Sequence, residues 1–282
     1  MPAKLPDTVP RKIAVILGMG GSGEPLLDVL RLLLGNDSEI DLQGVFIEDN
    51  ELQRAAALPF VKELCRLTLS VREFHSDQFE RAVTLRTRTA RRVIAELAQN
   101  MGVPHTFRNI RGSMVSLLQE TARSADITVF EPLRMFAAAP VSQRVQTRPS
   151  PQRIVVAIDD LTTGADALIA ATLLAEGEMR KISVLLSATA PAEQDALIRM
   201  VSKLLPAVPD RILLLPEPGM QNLIAAARAE GASMLVLPAS EEMLKPGSLR
   251  LLQQQLRCPI CLVRQWEGSS DGNAKQGPAQ NP

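Results

Sequence analysis

The turn Gly18-Met19-Gly20-Gly21-Ser22-Gly23 satisfies Gly-x-Gly-x-x-Gly, follows an apolar run and precedes a helical segment. In that context the pattern suits a dinucleotide or another phosphate ligand. Glycines let the backbone approach phosphates, and N–H groups at a helix start meet their charge. Glu48 and Asp49 end the next apolar run, where a ribose-binding acid would stand. The same residues also read as a plain glycine-rich connection, and Pro25 just inside the helix fits both readings. On the first reading Gly18, Gly20 and Gly23 hold the ligand, and a dinucleotide-binding enzyme is one function class to carry forward.

Other chemistry-bearing residues are sparse. Cys258-Pro259-Ile260-Cys261 has the spacing of a zinc or redox pair, but no second pair completes a zinc site. On a strand, residues three apart point to opposite faces, so two buried structural thiols are expected. His75 and His105 are the only histidines, and neither joins a Ser–His–acid pattern. Arg81, Arg86, Arg88, Arg91 and Arg92 make a basic helix, with Arg81, Arg88 and Arg92 on one face. That face reads as solvated or as an anion or partner site. No catalytic residue and no metal site is expected.

The elements that would position these groups follow from hydrophobic patterning. Residues 12–17 and 153–159 are continuous apolar runs, as in strands buried on both faces of a parallel sheet. After the first come a helix at 24–34, a strand at 40–48 and helices at 51–65 and 77–101, with an extended stretch at 67–75 between those two. A strand at 105–110, a helix at 113–123 and a strand at 126–131 complete the first half. After the second run, Thr162 is expected to cap a helix to about Ala175. Strands at 181–187, 211–215, 233–238 and 259–264 then alternate with helices at 192–204, 220–230 and 247–256. Alternating strands and helices predict α/β architecture: two doubly wound, Rossmann-like parallel sheets in tandem.

The halves repeat. Lys12–Leu17 aligns with Arg153–Ile158, and Gly112…Val129 aligns with Gly219…Val236. The offset falls from 141 (12 to 153) to 107 (112 to 219), which places about 34 extra residues in the first half. The expected division is a first domain at 11–131 with an insertion near 50–90, a proline-rich linker at 132–152, a second domain at 153–265 and a disordered tail at 266–282.

The 282 residues suffice for two such domains, and 46% hydrophobic content fits ordered ones. Lysine plus arginine equals aspartate plus glutamate, 31 against 31. That balance argues against a general nucleic-acid or anionic-membrane binder. Three cysteines do not make a disulfide framework. The first ten residues hold three prolines and no apolar run of the signal-peptide kind, and no run is long enough to span a bilayer. A cytoplasmic location is the expectation, with no membrane and no nucleic acid among the partners.

Two stretches resemble the universal stress protein family. One is Gly247-Ser248-Leu249, a helix, then Arg257-Cys258-Pro259-Ile260-Cys261-Leu262-Val263-Arg264. The other is Gly44-Val45-Phe46-Ile47-Glu48-Asp49, followed by Leu52 and Ala55-Ala56-Ala57-Leu58-Pro59-Phe60. Asp159 after an apolar strand is also similar to that family. The resemblance implies an adenine nucleotide alpha hydrolase-like fold and a stress-response or regulatory role. It also implies a homodimer joined through strand 259–264.

In the nucleotide-binding branch of that family, ATP is held by Gly-x2-Gly-x9-Gly-Ser/Thr after the fourth strand. The matching residues here are Gly247 and Ser248, with Asp159 as the acid near the adenine or ribose; Gly18 stands where Asp159 does in the first half. This chain instead reads Pro238-Ala239-Ser240-Glu241-Glu242-Met243-Leu244-Lys245-Pro246-Gly247-Ser248. The first two glycines are missing, the loop is short, and two glutamates would repel phosphate. The expectation is a non-catalytic regulatory protein acting through protein contacts, with nucleotide binding weak or lost. The alternative is an ATP- or AMP-binding sensor or weak ATPase.

Overall fold

The computed structural model describes residues 11–19, 24–35, 39–58, 60–64, 70–132, 153–188 and 190–266. The turn residues Gly20 and Gly23, Cys65, nearly all of the 132–152 linker and residues 267–282 lie outside them.

The first half runs β1 (Lys12–Gly18), α1 (Glu24–Leu34), β2 (Asp41–Asp49), α2 (Asn50–Ala56), β3 (Lys62–Leu64), β4 (Val71–Glu73), α3 (Ser76–Met101), β5 (His105–Gly112), α4 (Met114–Ser124) and β6 (Ile127–Phe130). The second runs β7 (Ile154–Ile158), α5 (Leu161–Leu174), β8 (Ile182–Leu186), α6 (Pro191–Leu204), β9 (Arg211–Leu214), α7 (Met220–Ala229), β10 (Met234–Pro238), α8 (Pro246–Gln255) and β11 (Ile260–Val263).

The continuous apolar runs become the central strands. β6, β7, β8, β10 and β11 are buried at every residue. Nine strands form one sheet in the order β5-β2-β1-β6-β11-β10-β7-β8-β9. The first four are mutually parallel, as are the last five. The two blocks meet antiparallel, with Phe130 opposite Ile260 and Ile127 opposite Val263.

That seam corrects the expected homodimer through strand 259–264. β11 bonds to β10 on one side and β6 on the other, so it has no free edge for a second chain. The edge that β6 would otherwise expose is filled by β11 of the same chain.

Helices cover both faces. Leu30 of α1, Ile94 of α3, Leu168 of α5 and Val201 of α6 belong to one apolar layer. Leu118 of α4, Leu223 of α7 and Leu252 of α8 belong to the other. Each layer is continuous across the seam, where α1 packs on α5 and α4 on α8.

Three local expectations change. The helix expected over 51–65 stops at Ala56, and residues 62–64 pair with 71–73 in a small hairpin. Pro59 brings no backbone donor and disfavours helical backbone at the residue before it. Helix α5 is capped by Asp160 rather than Thr162, the carboxylate accepting from the Thr162 and Thr163 amides at 2.6 and 3.0 Å. A charged acceptor at the positive end of a helix outcompetes a hydroxyl two residues inside it. Trp266, assigned above to the tail, is buried in the core and donates its backbone N–H to Asp166 at 3.0 Å.

The connection from β2 to β5 occupies residues 50–104, whereas that from β8 to β9 occupies only 187–210. The extra length is α2, the hairpin and a 26-residue α3 where α6 has 14 residues.

Candidate functional site

In a doubly wound sheet, ligands enter the crevice beyond the carboxyl ends of the strands, where the strand order reverses. In the second block that point lies between β7 and β10. A cavity of about 190 Å³ opens there, with Asp159, Ser187, Gly219, Leu223, Met243 and Ser248 in its lining. Asp159 follows β7 directly, and Ser248 sits in the first turn of α8. Of the residues expected to hold a nucleotide, these two share the cavity wall. Gly247 stands beside it with open space where a side chain would go.

The loop from β10 to α8 decides what this cavity can do. Met243 and Leu244 are buried, turned into the apolar layer rather than outward. The Leu244 amide donates to the Ser240 carbonyl at 2.9 Å, and the Met243 amide to the Ser240 hydroxyl at 3.3 Å. Ser248 donates its hydroxyl to the Glu242 carbonyl at 3.0 Å. Glu242 also lines the cavity, and its carboxylate pairs with Lys245. Glu241 reaches across to Arg123 of α4 at 2.9 Å.

The lining carries two carboxylates, Asp159 and Glu242, and no cationic side chain. The Asp159 carboxyl titrates above the usual range, first because it is partly desolvated and then because Asp160 repels its charge. Ligand pockets for drug-sized molecules run from about 300 Å³ upward. This one is smaller than that, and its charge opposes a phosphate chain. The sequence had pointed to the missing glycines and the acids. It had not pointed to Met243 and Leu244 as the filling; an adjacent apolar pair in an otherwise polar loop was the available signal. Gly219, with φ of 149°, caps α7 at the rim and was likewise missed as a lining residue.

The glycine turn after β1 lies elsewhere. Because the two blocks are antiparallel, the carboxyl ends of β1 and β7 face opposite ends of the sheet. Gly18 and Asp159 therefore cannot meet in one site. A side chain at Gly18 would stand 2.9 Å from the Met114 methyl, so the space beside it is taken by the protein's own side chain. Gly20 and Gly23 fall outside the described residues. The neighbouring acids hold protein donors. Asp49 caps α2 through the Glu51 amide at 2.8 Å. Glu48 accepts from Asn109 at 2.7 Å, and from Gln53 and Arg111 at 3.3 Å each.

Cys261 of β11 packs in one apolar layer, and Cys258, in the bend before that strand, packs in the other. Burial pushes the Cys258 thiol up to about 11 and the Cys261 thiol further up. His75 precedes α3 and His105 opens β5; both are exposed. Among the described residues no cluster of His, Cys, Asp or Glu could hold a metal ion, and no helix is long and apolar enough to cross a membrane.

No family model and no curated protein matches the chain. Solved structures do. A universal stress protein from Archaeoglobus fulgidus aligns over 90% of this chain and 97% of its own, at 11% identity and a TM-score of 0.46. A putative universal stress protein from Pseudomonas aeruginosa covers 90% and 93%, at 10% identity and 0.47. A protein of the same family from Burkholderia pseudomallei covers 41% of this chain and 98% of its own, at 24% identity and 0.30.

Proposed function

We propose that this chain is a non-catalytic, universal stress protein-like regulatory protein that acts through its surfaces and has given up nucleotide binding. The family part of the reading rests on the resemblance at residues 44–60 and 247–264. The observation that carries the functional part is the β10–α8 loop. It buries Met243 and Leu244, ties Ser248 to a carbonyl and leaves a small cavity with two carboxylates. Phosphates are held by converging N–H groups together with cations; the starts of α7 and α8 reach this cavity, but its charged side chains are two carboxylates and no cation, which oppose a phosphate chain.

The test is titration of the intact protein with ATP, AMP and NADH, followed by native mass spectrometry. The expected result is no bound nucleotide and no saturation at millimolar ligand. Micromolar binding of ATP or AMP that is lost in Ser248→Ala would replace this reading with the sensor or weak ATPase. Binding of NADH that is lost in Gly20→Val would replace it with the dinucleotide enzyme.

A further inference from the structure

The net charge of the chain is zero, yet one stretch is strongly one-sided. Residues 81–92 of α3 hold five arginines and no acid. Arg81, Leu85, Arg88 and Arg92 follow i, i+4, i+7, i+11 spacing and so share one face of the helix. Leu85 is 67% exposed in the middle of that face. Arg91 lies over the Phe107 ring, 5.2 Å from its centroid, and Arg92 pairs loosely with Glu96 at 3.8 Å. Arg81 and Arg88 make no ion pair with another described residue.

The face continues into a hollow. Arg81, Leu85 and Arg88 border a shallow depression with Asp77 at its edge, and Glu80 and Thr84 line both it and a cavity of about 410 Å³. The far wall of that cavity is Ala56 and Ala57 at the end of α2, and its acid Glu48 is held by Arg111, so the unbalanced positive charge lies on the α3 face rather than in the cavity. Just past Ala57 come Leu58, 61% exposed, and Phe60, 95% exposed. Single exposed apolar residues are ordinary, but Leu85 set between Arg81 and Arg88 beside a continuous hollow marks an interaction surface.

We propose that residues 81–92 of α3, with Leu58 and Phe60 past the end of α2, dock a short acidic, amphipathic segment of a partner protein. This rests on the reading of the chain as one that works through its surfaces. The charge of the surface selects an acidic partner. Its length sets the size: twelve helical residues span roughly 17 Å. Asp77 and Glu80 bound the stretch at one end and Glu96 at the other, so a long polyanion running along it would meet repulsion. Leu85, Leu58 and Phe60 supply apolar contacts that a phosphate backbone cannot use.

The probe is a labelled 12-residue peptide of glutamates with leucines at helical spacing, matched to the arginine stretch and titrated into the full chain by fluorescence anisotropy. Two comparison ligands are the same peptide with serine for leucine and a 20-base-pair DNA duplex. The expected result is saturable binding of the leucine peptide, weakened about tenfold or more in Arg81→Glu/Arg88→Glu/Arg92→Glu. Leu85→Ala should weaken it several-fold, and the serine peptide should bind less tightly than the leucine peptide. All four side chains are exposed, and an unchanged thermal midpoint verifies that the variants are folded. Absence of saturation at millimolar peptide overturns the proposal. So does equal binding of the serine peptide, or tighter binding of the duplex. ATP added in the same series separates the two claims. A silent peptide with silent ATP removes this surface alone, whereas tight ATP binding removes the reading beneath it.

Discussion

Arg264, just after β11, donates to the Asp126 carboxylate at 2.8 Å, and that carboxylate also accepts the Arg11 and Lys12 amides at 2.9 and 3.0 Å. Two chain segments, one from each block, therefore converge on Asp126, which sits just before β6 and is largely shielded from water. Asp126→Ala leaves two backbone donors and one guanidinium without their acceptor. A loss of about 1–3 kcal/mol in unfolding free energy is expected by urea titration. Arg264 is more exposed, and Arg264→Met should cost under about 1 kcal/mol. Equal losses would mean that the ion pair, rather than the amide acceptor, holds the seam.

Two glycines should respond in opposite directions. A side chain at Gly164 would collide with the Ile158 Cγ2, so α5 can approach β7 only because that position lacks one. Gly164→Ala is expected to destabilise by about 1–3 kcal/mol through overpacking. Gly247→Ala meets open space within α8 and should be neutral or stabilising by up to about 1 kcal/mol. If Gly247→Ala instead destabilised the fold, the loop before α8 would be under a constraint other than the contacts described.

Asp159 gives a pH signature. Its carboxyl titrates above the ordinary value when folded, so the unfolded chain releases that proton first as pH rises. Its contribution is therefore present below about pH 4 and is lost as pH rises through the folded value. Asp159→Asn should be more stable than the parent at pH 7, and that advantage should fade toward pH 3. Asp159 keeps some contact with water, so the gain will be small. Unfolding free energies of both proteins across that range measure it, and an advantage that grows toward pH 3 would reverse the sign.

Cys258 and Cys261 should resist alkylation in the folded protein at pH 8, because both thiols are buried and titrate well above that pH. Peptide mapping after iodoacetamide treatment, with and without urea, reads this out. Rapid native labelling of Cys261 would show that the seam strand opens.

The parts of this structure legible in the sequence were those governed by local pattern. Val155–Ile158 and Leu235–Leu237 are short, β-branched or leucine-rich and apolar at every position, as a strand covered on both faces is, whereas the equally apolar Ala167–Ala171 belongs to the longer α5. The alternation of elements followed, and so did the opposite facing of Cys258 and Cys261. The seam was not legible. β11 and β6 lie about 130 residues apart, and nothing local in Ile260–Val263 distinguishes pairing with β6 from pairing with another chain. In the candidate site, the missing glycines before Gly247 were visible as letters. That Met243 and Leu244 turn inward depends on Leu223 and Leu249 presenting an apolar surface, which no local reading supplies.

The order of synthesis gives the seam a further meaning. Growth at about 5–20 residues per second separates the emergence of β6 from that of β11 by roughly 7–26 s. During that interval the outer edge of β6 has made its bonds to β1 but has no neighbour on its other side. The partner it awaits is β11 of its own chain, so the early half is born with an edge that stays unpaired until β11 follows.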